Sequence, residues 1–183
     1  MPQDGNDIII IRALRAEDAA AWRMLRLEGL RDHPRAFVTS YEEVAEDDVD
    51  AFAARMPAPT GPDVLFGAFA GDKLVGSAGL FIRKRAKERH KADIVGVYVT
   101  PRYRGKGIAH RLIRAALDHA RGYVAVVLLV AGAENAAARR LYERCGFVVY
   151  GLERRAMRLD GREYDDVYMA LHLDQQPDDR TSW

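Results

Sequence analysis

Residues 97–107 read Val-Tyr-Val-Thr-Pro-Arg-Tyr-Arg-Gly-Lys-Gly, an apolar run that passes through a proline into a basic, glycine-rich turn. Gly105 and Gly107 can take backbone angles closed to other residues and let the main chain come close to a ligand. A helix is predicted to open directly after them, and its start aims unpaired N–H groups and the positive end of its dipole at the same point. Those are the elements of a pyrophosphate site, and Arg102, Arg104 and Lys106 add cations around it. Two other phosphate loops do not fit. A dinucleotide fingerprint needs G-x-G-x-x-G, and His110 stands where its third glycine would fall. A nucleotide triphosphatase loop needs G-x-x-x-x-G-K-[ST], and Gly105-Lys106-Gly107-Ile108-Ala109 lacks both the spacing and the hydroxyl residue. Taken alone, the turn also fits a strand-to-helix connection that binds nothing.

A second motif follows at Glu134-Asn135-Ala136-Ala137-Ala138-Arg139-Arg140-Leu141-Tyr142-Glu143-Arg144-Cys145-Gly146-Phe147. It predicts a short helix with Asn135 near its start and Gly146 at its end. Ala138, Leu141, Tyr142 and Cys145 fall on one face, with Arg139, Arg140 and Glu143 directed elsewhere. A buried phenol at Tyr142 needs a partner for its O–H; the plain alternative is a phenol that merely packs in the core.

Together the two motifs resemble the GNAT superfamily of acyl-CoA-dependent N-acyltransferases, whose loop reads (Q/R)-x-x-G-x-(G/A) and whose later helix reads N-x-x-(A/S)-x-x-x-Y-x-x-x-G-F. The resemblance covers residues 8 to 173, nearly the whole chain. It implies a three-layer α/β fold, a mixed and mostly antiparallel sheet of about seven strands with about four helices, splayed between its fourth and fifth strands. It implies acetyl-CoA as acyl donor, with no metal. The loop Arg104, Gly105, Lys106, Gly107, Ile108 and Ala109 would hold the pyrophosphate, and the main chain of Val97, Tyr98 and Val99 would pair with the pantetheine arm, which Asn135 and Ala138 would also meet. Tyr142 matches the residue that protonates the departing thiolate, sensible chemistry for a phenol titrating near 10 beside a thiol near 8.5. The reaction would be direct: a neutral amine attacks the thioester, an N–H near Val99 polarises its oxygen, and no acyl-enzyme forms. Asp93 stands where many relatives carry glutamate and is the first candidate for the base that deprotonates the amine, ahead of Glu28 and Tyr98. Homodimers are common among such proteins.

Composition agrees with that picture. The chain has 183 residues, enough for one domain with a sizeable core. Its 28 basic and 27 acidic side chains leave a formal charge of +1, so no global field favours nucleic acid or an anionic membrane. The first apolar run, Ile8 to Ile11, is too brief for a signal-peptide core or a membrane span, and a cytoplasmic location is expected. A single cysteine, Cys145, excludes an internal disulfide and any multi-cysteine metal site.

Strands and helices alternate without a linker. A strand over Ile8 to Arg15 leads into a helix that runs toward Arg31, and a second helix is predicted from Glu42 to Arg55. Val64 to Ala70 and Lys73 to Lys84 make a hairpin, Ala92 to Val99 the next strand, and Ile108 to Ala120 the apolar stripe of the motif helix. Val124 to Val130 is uniformly apolar and predicts a central strand buried on both faces. Phe147 to Leu159 and Arg162 to Leu173 close the sheet around Asp160-Gly161, a strong hairpin turn signal. Residues 1–7 read as a flexible lead, 8–173 as the domain and 174–183 as a polar tail.

The acceptor side is less legible. In this fold the pocket is built from Leu27 to Tyr41 and Arg155 to Tyr168. Arg31, Arg35 and Tyr41 can bind a carboxylate, whereas Glu42, Glu43, Glu46, Asp47 and Asp48 can draw in a cationic amine or simply form a solvated helix face. The basic stretch Arg83 to Lys91 reads as a hairpin loop in solvent, and His90 has no neighbouring ligand set for a metal. Two functions remain: an acetyl-CoA:amine N-acetyltransferase acting on a small metabolite or a protein, or an acyl-CoA-binding sensor without turnover. Tyr142 and Asn135 favour the enzyme, since a pure binder needs only the phosphate loop.

Overall fold

The structure is a computed structural model and describes residues 8–173; the expected lead at 1–7 and tail at 174–183 lie outside the described residues. Seven strands, β1 (Ile9–Ala13), β2 (Val64–Ala70), β3 (Lys73–Ile82), β4 (Lys91–Val99), β5 (Val126–Gly132), β6 (Val148–Leu159) and β7 (Arg162–His172), form one sheet in the order β1-β2-β3-β4-β5-β7-β6. Four α-helices accompany them: α1 (Ala19–Asp32), α2 (Val49–Arg55), α3 (Ile108–Ala120) and α4 (Ala136–Arg144). The apolar stripe of α3, Ile113, Ala116, Leu117 and Ala120, is buried against Ile94, Val127 and Leu129 of the sheet together with Tyr142 and Cys145. α1 packs on the opposite face, over β3 and β4 and beside α2, with Leu25 meeting Leu65, Phe69 and Tyr98. The sheet is the middle of three layers, as expected.

All neighbouring strands are antiparallel except β4 and β5. A parallel pair needs a crossover, which α3 supplies. That pair is short: Lys91, Ala92 and Asp93 sit opposite Val126, Val127 and Leu128. Beyond it the two strands part, so the edge of β4 from Ile94 to Val99 has no ladder partner on the β5 side. This is the expected splay between the fourth and fifth strands.

β4 also carries a bulge. Ser77 pairs with Tyr98 but Gly79 with Val95, so one extra residue is inserted between them. Gly96 absorbs it at φ +63°, an angle that favours glycine. The bulge exchanges the faces: Ile94 and Val97 both reach the α3 side, and Tyr98 turns toward α1.

Two elements differ from expectation. The helix expected from Glu42 begins only at Val49. Asp48 caps it by accepting from the Ala51 N–H at 2.8 Å, and the carbonyls of Ala45 and Asp47 are held by Arg23 instead of by a helical ladder. The capping residue Asp48, and not Glu42, marks the start of the helix. The strand expected at Val124–Val130 is shifted to Val126–Gly132, and Val130 is 48% exposed. Its α1 face is open at Val130 because α1 lies over β3 and β4, while the turn Pro34–Ala36 reaches β5.

Candidate active site

The glycine-rich turn lies between the end of β4 and the start of α3. Gly105 and Gly107 both have φ +75°, and a Cβ on either would meet nothing within 4 Å. The angle, not crowding, demands glycine here. Gly107 is the N-cap of α3 and no side chain caps it, so the first-turn N–H groups, those of Ile108 and Ala109 among them, face outward without intrahelical acceptors. Arg104 is less free than its position suggested. Its Nε donates to the Val99 carbonyl at 2.8 Å, its Nη2 lies 2.8 Å from His33 Nε2, and its guanidinium sits over the Tyr98 ring. It ties the loop to the end of β4. Lys106 extends its ammonium over Tyr103 at 5.2 Å.

Val97, Tyr98 and Val99 stand on the part of β4 that borders the splay, where main-chain groups on one edge lack a ladder partner. Asn135 is the N-cap of α4, its side-chain oxygen accepting from the Ala138 N–H at 3.1 Å. That bond spends the oxygen on the helix and leaves the amide N–H₂ group as a donor.

Tyr142 projects from α4 into the α3 side of the core, 8% exposed, with an edge-on contact to Phe147. Its hydroxyl makes no hydrogen bond among the described residues. Burial pushes the phenol up to about 12, so it is protonated at every ordinary pH. With its ring buried and its hydroxyl without a protein partner, the position suits a group that donates only when something is brought to it.

Asp93 lies at the closed end of the splay, opposite Leu128. Its two oxygens accept from Arg83 Nε and Nη2 at 2.8 and 2.9 Å, a bidentate pair that also raises the arginine. It lines neither cavity described below. Tyr98 donates to Glu28 Oε1 at 3.0 Å, and burial with that bond raises the phenol to about 12.

A cavity of ≈ 530 Å³ opens where β5, β7 and the end of α1 converge. Asp32, His33 and Arg35 form one wall, Gly132, Glu134 and Asn135 a second, and Tyr164, Asp165 and Asp166 a third. Arg35 is ion-paired to Glu134 and lies 4.0 Å above the Tyr164 ring. A second cavity of ≈ 380 Å³ lies under α2 between Trp22, Arg26, Phe52, Phe81 and Gly96, and Arg26 stacks over Phe37 with its Nη1 buried and unpaired. Of the acceptor residues singled out in the sequence, Arg35 reaches the first cavity. Arg31 turns to Asp32, and the acidic run is occupied locally, Asp47 by Arg55 and Asp48 by the α2 cap. Among the described residues no group of three or more His, Cys, Asp or Glu is placed to hold a metal ion.

Residues 21–147 match the acetyltransferase (GNAT) family. This chain belongs to that family. Among its relatives, the N-alpha-acetyltransferase RimI of Mycobacterium tuberculosis is 40% identical over 97 residues, 53% of this chain, and the match spans 60% of that protein's own length. The L-amino acid N-acetyltransferase AaaT of Escherichia coli is 24% identical over 164 residues, covering 88% of this chain and 96% of AaaT. The yncA structure from Salmonella typhimurium, solved with its cofactor acetyl-CoA, superposes with a TM-score of 0.80 at 25% identity, over 92% of this chain and 96% of that one.

Acetyl-CoA is the acyl donor of GNAT acetyltransferases, and the residues present suit it. The uncapped helix start behind two positive-φ glycines fits a pyrophosphate, and the unpaired edge of β4 fits an amide-bearing arm. The residue that sequence reasoning missed is Asp166. It is 9% exposed on β7 and lines the larger cavity. The available signal was a carboxylate directly before the apolar end of the strand, Asp-Asp-Val-Tyr-Met-Ala.

Proposed function

We propose that this GNAT protein transfers an acetyl group from acetyl-CoA to a primary amine by direct attack in a ternary complex. The observation that carries the reading is Tyr142, whose ring is buried on the helix that follows β5 and whose hydroxyl makes no hydrogen bond among the described residues. In this reading acetyl-CoA supplies an activated acetyl carbonyl and a thiolate leaving group. The N–H groups after Gly105 and Gly107 hold its pyrophosphate, the β4 edge from Val97 to Val99 orients its arm, and the Asn135 amide with Ala138 borders it from α4. A main-chain N–H near Val99 polarises the carbonyl oxygen, and the Tyr142 O–H gives its proton to sulfur. Asp93, clamped by Arg83 at the closed end of the splay, we assign to tying strands together; this replaces the role of base expected from its position.

The names of RimI and AaaT both describe acetylation of an α-amine or amino acid, and we extend that class to this chain: the acceptor is the amine of an amino acid or of a polypeptide N-terminus. We also assign the protein to the cytoplasm. No helix among the described residues is long and apolar enough to cross a membrane.

The test is calorimetric titration with acetyl-CoA, with ATP and NAD as comparison ligands, followed by thiol release over a panel of amino acids, peptides and polyamines. Binding of acetyl-CoA alone with amine-dependent thiol release supports the reading. Binding without thiol release over the whole panel replaces the enzyme with an acyl-CoA sensor.

A further inference from the structure

Asp166 is a carboxylate with no partner. It is nine-tenths buried, lines the larger cavity, and makes no hydrogen bond or ion pair among the described residues. Its oxygens are not among the fully buried unpaired polar atoms, so the carboxylate opens onto the cavity, where a ligand or a proton can complete it.

Its place in the sheet ties it to the reacting centre. Asp166 lies directly across from Gly132, the last residue of β5. Gly132 ends β5, beyond the short stretch over which β4 and β5 pair. Val167, next to Asp166, and then Met169 face the α3–α4 core, where Tyr142 also lies. Asp166 therefore faces the opposite side of the sheet. Asp166 and Tyr142 thus lie on opposite faces of the sheet.

Resting on the acyl-transfer reading above, we propose that Asp166 receives the ammonium of a cationic amine acceptor and takes its proton. Its neighbours support that role because none neutralises it. On the α1 side Asp32 is held by Arg31, and His33 is within reach of Arg104. Arg35 is committed to Glu134 and the Tyr164 face. On β7 Asp165 accepts the Arg155 N–H at 2.8 Å, and on β6 Glu153 accepts from the Tyr168 hydroxyl. Asp160 contributes a further carboxylate from the β6–β7 turn. Burial first, then the charges of Glu153 and Asp165, raise Asp166 above the ordinary carboxylate range, which makes it a better base.

The protons balance. Asp166 removes one proton from R–NH₃⁺, and the freed nitrogen pair forms the C–N bond as the C–S bond breaks. Sulfur takes the Tyr142 proton, Tyr142 regains one from the nitrogen through solvent, and Asp166 releases its own. One proton is lost per amide formed.

The experiment compares the full-length wild type with Asp166→Asn and Asp166→Glu, using spermidine and an alanyl tetrapeptide as cationic acceptors and methoxyamine as one that is neutral at pH 7. With Asp166→Asn, kcat for the cationic acceptors is expected to fall about a hundredfold and to lose its acid limb. Methoxyamine turnover and acetyl-CoA affinity are expected to stay within about threefold, and Asp166→Glu to recover part of the loss. Unchanged kcat and pH profile with the cationic acceptors overturn the inference while leaving acetyl transfer intact. Wild-type protein that binds acetyl-CoA and turns over neither these acceptors nor any of the amino acids, peptides and polyamines of the panel above overturns the underlying reading instead. Should Asp166→Asn fail to fold, Asp166→Ser decides by the same readout: kcat for spermidine and the peptide that falls while methoxyamine turnover holds supports the role, and kcat unchanged for all three overturns it.

Discussion

The loop proposed for the donor and the cavity proposed for the acceptor both lie at the open end of the splay, one after β4 and the other beside the last residue of β5, and they are built by opposite means. Arg104 to Ala109 is a continuous stretch whose chemistry resides in main-chain N–H groups, and two glycines at φ +75° set their directions. The cavity that holds Asp166 draws its walls from residues 32–36, 132–135 and 157–166, and its chemistry resides in side chains. A main-chain site depends on local backbone angles and reads through in sequence. A side-chain site depends on which distant segments the sheet brings together.

The same contrast orders the expected effects of substitution. Tyr142→Phe removes only the hydroxyl, leaving the ring's packing on Phe147. Its turnover is expected to fall about a thousandfold, with acetyl-CoA affinity by calorimetry nearly unchanged. Equal turnover would make Tyr142 a core phenol. Because the phenol is raised to about 12, no limb in the pH–rate profile below that value is expected to belong to it.

Gly107→Val asks a β-branched residue to adopt φ +75°, a strain of about 1–3 kcal/mol at a position where nothing crowds a side chain. The acetyl-CoA Kd is expected to rise tenfold or more while kcat at saturating donor moves less. If kcat falls and Kd does not, the division between a backbone-built donor site and a side-chain-built acceptor site is broken.

Asp166 sharpens the comparison through stability. Its folded pKa lies above the unfolded value near 3.9, so the folded state binds the proton more tightly, and stability contributed by this group declines as pH rises from about 4 toward the raised pKa. Asp166→Asn is accordingly expected to melt higher than wild type at pH 7, with the gap closing as pH falls to about 4. A variant that melts lower at pH 7 would mean that the carboxylate is stabilised in the free protein.

The smallest effect is expected at Asp93. Its pair with Arg83 is about one-third exposed on each side, so Asp93→Asn should cost about 1 kcal/mol or less by denaturant titration and leave the pH–rate profile in place. A flattened profile would return Asp93 to the chemistry.

How legible these regions were follows from how each is specified. The α4 motif predicted a helix from near Asn135 to Gly146, and the structure runs it from the Asn135 cap to Arg144. The Asp160-Gly161 turn adopts φ +49° and +74°, the angles such a hairpin requires. The strand position of Asp93 was visible in sequence and its partner was not: Arg83 approaches only when β3 and β4 pair. Glu42 to Asp48 misled because acidic spacing resembles a helix face, while the side chain of Arg23 holds that segment in turns.

What the sequence by itself determined was everything carried by short-range physics: the glycine angles of the donor loop, the strand-turn-helix order around it, the α4 cap, and the apolar stripe that seats α3. Only the tertiary structure decided that β4 and β5 separate after Asp93, that Gly96 bulges β4 and exchanges its faces, and that Asp166 stands buried and unpaired opposite Gly132. Those features arise from strand register, which aligns residues far apart in the chain, and no local periodicity encodes which distant carboxylate a register leaves without a partner.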